Sequence, residues 1–192
     1  MKRRPIRVGF DLDGVILYNP ARLARRPIRT FKHFFFPRIE SRFHIPHRTW
    51  EKVLWHLFHL SSFRISPGFW LIKGLSDVGL IEPYVITARY SFLRQDYHRW
   101  IRRLHISEDF HGHFMNEKDE QPHEFKERMI KELKLDIFVE DNLDIVRHLR
   151  KTTPSHIVWV YNLFDFFVHD DHRYPDLKKA VEYISRYAKT HR

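Results

Sequence analysis

At 192 residues, with 43% hydrophobic and 16% aromatic side chains, the chain can bury the core of one good-sized domain plus a small insertion. It has no cysteine, which excludes disulfides, thiolate metal sites and cysteine nucleophiles and fits a reducing cytoplasm. Thirty-four lysines and arginines against 24 acids leave a net charge of +10, a surface that attracts phosphorylated metabolites, nucleic acid or anionic membrane.

No run approaches the roughly 20 apolar residues of a membrane span, and the apolar stretch before Asp11 is too short for a secretory signal. A cytoplasmic location is the expectation. The first element is the apolar run Ile6-Arg-Val-Gly-Phe10, ending in carboxylates. From about Pro20 to Ser62 the sequence is rich in Arg, His and Phe and lacks a strand pattern. Within it, Trp50, Val53, Leu54, Leu57 and Phe58 recur at the spacing of an amphipathic helix.

After Ser66-Pro-Gly68 the pattern becomes regular. A helix is read through Phe69 to Val78, stopped by Gly79. Tyr84-Val-Ile-Thr-Ala88 reads as a buried strand, followed by a helix from about Ser91 to Leu104 and a weaker strand near Phe110 to Met115. Pro122 opens a helix to about Leu133. Asp136-Ile-Phe-Val-Glu140 is another strand ending in acids; a helix to about Arg150, the strand His156–Tyr161 and a helix from about Pro175 to Ala188 complete the chain. Strands alternating with helices predict an α/β fold: a Rossmann-like parallel sheet with helices on both faces. The arginine- and phenylalanine-rich stretch interrupts that rhythm as an insertion. The expected division is a core of residues 1–18 and 66–192 with a mainly helical cap, residues 19–65, after the first strand.

Ligands of an open parallel sheet bind outside the carboxyl ends of its strands. Three expected strands end in chemically capable residues: Asp11 and Asp13, Thr87 and Arg89, Glu140 and Asp141. Lys126 lies on the helix leading into the third. A lone carboxylate after a strand is commonly a helix cap or turn residue; their joint occurrence is hard to attribute to capping.

Asp11-Leu-Asp13-Gly14-Val15 resembles the first motif of the haloacid dehalogenase-like (HAD) superfamily, and Val85-Ile-Thr87-Ala-Arg89 its second. Lys126 in Phe125-Lys-Glu-Arg-Met resembles the third, and Phe138-Val-Glu140-Asp141-Asn142 the acidic fourth. The four stand in the family's order. The resemblance implies a phosphatase in which Asp11 is the nucleophile and forms an aspartyl-phosphate. Asp13 would protonate the leaving oxygen and then activate water. Thr87 would hold a phosphoryl oxygen, and Lys126 would offset charge shared by nucleophile and phosphate. Mg²⁺ would be held by Asp11, the Asp13 backbone carbonyl and Asp141, with Glu140 direct or through water. Members that dehalogenate typically lack an acid at the Asp13 position, so its presence points to phosphate-ester hydrolysis or phosphoryl transfer.

Lys118 and Lys131 compete with Lys126 for the third-motif role; the helical pattern around Lys126 and its distance from Asp141 favour it. Arg89 is suited to touch substrate, or to act as a surface ion-pair partner. Asp144 is either part of the acidic motif or an ordinary first-turn acid. The spacing, Ser66-Pro-Gly68 and Thr-Ala-Arg resemble the deoxyribonucleotidase-like subgroup, which makes a small phosphorylated substrate, a nucleotide in particular, the expected partner. Phe34, Phe35, Trp50 and Trp55 are suited to stack on a base, and Arg22, Arg25 and Arg26 to meet phosphates; an aromatic stripe is more often packing surface. The pairs His56/His59 and His111/His113 have metal-ligand spacing, but chance pairs are expected among 15 histidines. Rival expectations are a phosphatase for nucleic-acid ends or phosphorylated lipid, and a non-catalytic module on the same fold.

Overall fold

The computed structural model describes residues 4–18, 43, 45–46, 48–60, 62, 64–162 and 165–190. Most of the expected insertion, including Arg22, Arg25, Arg26, Phe34 and Phe35, lies outside them.

Six strands form one parallel sheet: β1 (Ile6–Phe10), β4 (Ile81–Thr87), β5 (Gly112–Met115), β6 (Ile137–Glu140), β7 (His156–Val160) and β8 (Arg173–Tyr174). Their order is β5-β4-β1-β6-β7-β8. The apolar runs that read as strands do so because both faces are covered. Along β6, Ile137 and Val139 enter one core while Phe138 enters the other; along β7, Val158 and Trp159 divide in the same way. The first core is closed by α2 (Phe69–Asp77), α3 (Arg94–Arg103), the short α4 (Ile106–Asp109) and α7 (Leu177–Thr190). The second is closed by α5 (Pro122–Leu133) and α6 (Leu143–Thr152). The sequence expectation of an α/β, Rossmann-like sheet covered on both faces is met.

Several elements differ from the reading. β4 begins at Ile81, not Tyr84, and so contains Pro83. Pro83 is tolerated because its carbonyl, and hence its missing N–H, faces β5 just before that strand begins. Its oxygen accepts from the His111 N–H at 2.9 Å. β8 was missed because it is two residues long and carries no apolar run. So were β2 (Leu17–Tyr18) and β3 (Arg64–Ile65), which pair antiparallel where the chain leaves and rejoins the core. Between them lies α1 (Thr49–Leu60), at the position its periodicity predicts. Gly68, with φ of +101°, lets the chain enter α2 against α7: a Cβ there would fall 2.6 Å from the Lys178 backbone. No helix among the described residues is long and apolar enough to cross a membrane.

His113, His123 and His156 are held below the ordinary histidine value, first by burial and then by the neighbouring His98, His148 and His172. The unfolded chain therefore takes up these protons first, near pH ~6.5, and stability falls as pH drops below that value. Thermal melts at pH 7.5 and pH 5.5 should show the lower midpoint at pH 5.5, and His156→Gln should flatten the difference. A midpoint that rises on acidification would contradict this.

Candidate active site

β1 is the centre of the sheet and its last residues are inaccessible to solvent, so whatever follows Phe10 is delivered to the middle of the carboxyl edge. The Asp11 N–H bonds the Val139 carbonyl at 3.0 Å, which carries the pairing with β6 one residue past the strand. The chain then turns tightly. Gly14 takes φ of +89°, a conformation open to glycine, and its N–H bonds the Leu17 carbonyl at 2.7 Å. This turn aims Asp11 and Asp13 along the edge rather than into solvent; they are 5% and 7% exposed.

Lys126 comes from the first half of α5, which starts with Pro122 at a position that needs no N–H. Its ammonium crosses the Phe138 ring at 6.0 Å and donates to Glu140 Oε2 at 2.7 Å; Asp11 Oδ2 lies 3.1 Å away. The other Glu140 oxygen accepts from the Asn142 N–H at 3.0 Å. The Asp141 carbonyl accepts from the Trp159 indole N–H at 3.2 Å, and that indole is fully buried. Oxygens of Asp11, Glu140 and Asp141 lie within 4.8 Å of one another.

Burial pushes the Asp11 carboxyl well above the usual carboxylate range; Lys126 pulls it back, and Glu140, Asp141 and Asp13 push it up again. Burial likewise raises Glu140, against the pull of Lys126. Burial opposes the charge on Lys126, but Asp11 and Glu140 outweigh it and hold the ammonium above the ordinary lysine value. Three carboxylates thus meet one ammonium in a site with little access to water. That donor set is all oxygen, hard and in excess of negative charge, which fits a divalent cation such as Mg²⁺.

A second buried network stands beside the first. Arg89 Nε and Nη2 bond the two oxygens of Asp13, each at 2.7 Å, and Nη1 bonds Asp96 Oδ2 at 2.6 Å. Ser62 Oγ adds a bond to Asp13 Oδ1 at 2.9 Å. Arg89 is 2% exposed, so it is no surface ion-pair partner. The two acids outweigh the cost of burying its charge and raise its pKa further. Thr87, the last residue of β4, is 1% exposed and its hydroxyl accepts from the Arg89 N–H at 3.3 Å.

All seven residues singled out from the sequence therefore lie at the carboxyl ends of β4, β1 and β6 or reach them. The competitors do not: Lys118 is exposed, and Lys131 is exposed and pairs with Glu127. Asp144 sits in the first turn of α6, where its N–H is capped by Asn142 Oδ1 at 3.0 Å. His113 bonds Tyr97 and Ser107, and no histidine joins a three-residue metal-binding cluster among the described residues. Ser62 and Asp96 were missed. Asp96 reads as an ordinary first-turn acid of a helix, and nothing local marks Ser62 as facing Asp13.

No protein-family model and no curated protein matches the sequence. Solved structures do match in shape. The HAD-hydrolase YfnB from Bacillus subtilis, determined bound to magnesium, gives a TM-score of 0.62 at 14% identity, covering 95% of this chain and 99% of that one. A HAD hydrolase of family IA, variant 3, from Entamoeba histolytica gives 0.59 at 11% identity, covering 96% and 99%. CbbY from Rhodobacter sphaeroides in complex with phosphate gives 0.55 at 12% identity, covering 90% and 95%. At these identities the likeness is one of architecture, and this chain is built on the fold of the HAD-superfamily hydrolases.

Proposed function

We propose that the protein is a magnesium-dependent phosphatase that hydrolyses a small phosphate monoester through an aspartyl-phosphate on Asp11, with a 5′-nucleotide as the substrate class. One observation carries this reading: Asp11, Lys126, Glu140 and Asp141 converge, buried, at the carboxyl ends of adjacent central strands. Neighbours of the same fold that were solved with magnesium or phosphate bound support it.

Asp11, the Asp13 carbonyl, Asp141 and Glu140 would hold the cation, which when bound offsets the charge of a phosphate dianion facing several carboxylates. A carboxylate oxygen of Asp11 attacks phosphorus, forming the acyl-phosphate bond as the ester P–O bond breaks. Asp13 gives its proton to the leaving oxygen. Water then attacks the same phosphorus, Asp13 takes a proton from it, and the bond to Asp11 breaks to release phosphate. Thr87 offers a hydroxyl to a phosphoryl oxygen. Lys126 holds the attacking carboxylate in place and draws it toward its charged form against the effect of burial, and charge placed in advance is most of what phosphoryl transfer needs. In the arrangement seen here Arg89 bonds both Asp13 oxygens and so fixes the position of the carboxyl group that serves both steps. Residues 19–65 act as the cap that selects substrate, and the cytoplasm is the compartment.

With 4-nitrophenyl phosphate and a panel of nucleoside monophosphates, turnover should require Mg²⁺, stop in EDTA and return when Mg²⁺ is restored. Zinc, which prefers tetrahedral nitrogen and sulfur sites, should substitute poorly. Full activity in chelator would remove the metal from the mechanism, and no hydrolysis of any monoester would sink the reading in favour of a non-catalytic module.

A further inference from the structure

The chain that leaves the core after β2 returns to it by way of Ser62, two residues past the end of α1 and two before β3. Nothing in the sequence gives this serine a task. Its side chain is nevertheless buried, and its hydroxyl donates to Asp13 Oδ1 at 2.9 Å. The backbone on either side of it is anchored. β3 pairs with β2, and the Ser66 N–H bonds the Ile16 carbonyl at 2.8 Å, so the returning limb is stitched to the turn that carries Asp13. On the other side α1 is held through Trp55, whose ring lies 6.5 Å from that of Tyr90, the residue after Arg89.

Asp13 is therefore gripped from two directions. Arg89 already supplies one bond to each of its oxygens, both at 2.7 Å, so the carboxylate does not need the hydroxyl to offset its burial. The two grips differ in chemistry. A guanidinium has donors only and suits the carboxylate. A serine hydroxyl donates to a carboxylate and accepts from a carboxyl, so it can stay bonded to Asp13 whether or not the proton is present. They also rest on different parts of the fold. Arg89 is shared with Asp96, at 2.6 Å, whereas Ser62 stands on the β2–β3 ladder.

We propose that Ser62 is a positioning residue for Asp13, delivered to the catalytic acid by the returning limb of the chain between β2 and β3. The inference rests on the phosphatase reading, in which Asp13 passes a proton to the leaving oxygen. That transfer needs the carboxyl within hydrogen-bond reach of the leaving oxygen, and a misplacement of about 1 Å can cost on the order of 10²-fold in rate. Ser62 acts through Asp13, so its loss shows most where the leaving oxygen depends on that proton.

The test compares two leaving groups in the full-length protein with Mg²⁺. Because kcat/KM covers only the steps through departure of the alcohol, it separates proton donation from the later attack of water. Ser62→Ala should lower kcat/KM by roughly tenfold for the alkyl monoester that the wild type turns over best, the scale of about one hydrogen bond to a charged group. The loss should be markedly smaller for 4-nitrophenyl phosphate, whose leaving group needs no proton. Ser62→Thr, which keeps the hydroxyl, should recover most of the alkyl rate, with thermal melts showing that both variants are folded at the assay temperature. Equal losses on the two substrates would make Ser62 a packing residue, and no loss on either would leave its bond without a catalytic role. Losses as large in Ser62→Thr as in Ser62→Ala would show that the hydroxyl is not what acts. Each of these overturns the proposal. A wild-type protein that hydrolyses no monoester sinks the phosphatase reading and the proposal with it; the other outcomes arise only in an active enzyme, so the two failures stay distinct.

Discussion

Asp11→Asn will remove turnover while leaving the protein as stable as before, or more so. The amide cannot form the acyl-phosphate, and the scale of loss when a nucleophile is removed is on the order of 10⁴-fold or more in kcat. Stability moves the other way for a separate reason. Burial and the three nearby carboxylates already oppose charge on Asp11, so a neutral side chain of the same shape relieves repulsion. Lys126 keeps its shorter bond, to Glu140 at 2.7 Å. Steady-state assays with Mg²⁺ and thermal melts, run on the same preparation, separate the two effects. Wild-type turnover in this variant would remove Asp11 from the mechanism. A large fall in melting temperature would instead make Asp11 a structural residue.

Arg89→Ala should have the largest effect on stability of any single change near the site. It leaves Asp96 (5% exposed) and Asp13 without the guanidinium that bonds both. Removing one partner from a buried ion pair typically costs about 3–5 kcal/mol, and at this chain length each kcal/mol lowers the melting midpoint by roughly 2–4 °C. Arg89→Lys should recover only part, because a single ammonium cannot make the forked contact to one carboxylate while reaching the second. The catalytic signature differs from simple loosening. If Arg89 positions Asp13, then alkyl phosphates, whose leaving groups need a proton, should lose more kcat than 4-nitrophenyl phosphate, whose leaving group does not. Equal losses on both substrates, with KM unchanged, would assign Arg89 a purely structural role. A rise in KM on every substrate with kcat intact would return it to direct contact with the phosphate.

The network around Arg89 also shows where reading the sequence stops. The parallel sheet was legible because period and burial belong to near neighbours in the chain: Ile6–Phe10, Ile137–Glu140 and His156–Val160 are short apolar runs set between helical patterns. Once such runs are strands of one parallel sheet, their carboxyl ends share an edge. Asp11, Thr87, Glu140 and Asp141 are then brought together by being attached to those ends. Lys126 was legible by register, since the helix that leads into β6 carries its first half past the same edge. Pro83 hid the first residues of β4, and β8, only two residues long, left no periodic trace.

The partners of buried charge follow a different logic. Asp13 meets Arg89 across 76 positions of sequence and Ser62 across 49, while Arg89 meets Asp96 seven residues on, after a turn of 3₁₀ helix. No spacing rule encodes such contacts, because they depend on how β1, β4 and α3 pack and on which side chain fills the space between them. Residue order and type placed the nucleophile, the acids and the lysine at one edge. The assembled core alone brought Arg89 inward onto Asp13, since a guanidinium at a strand end turns to water or to carboxylates according to what the neighbouring elements leave unpaired.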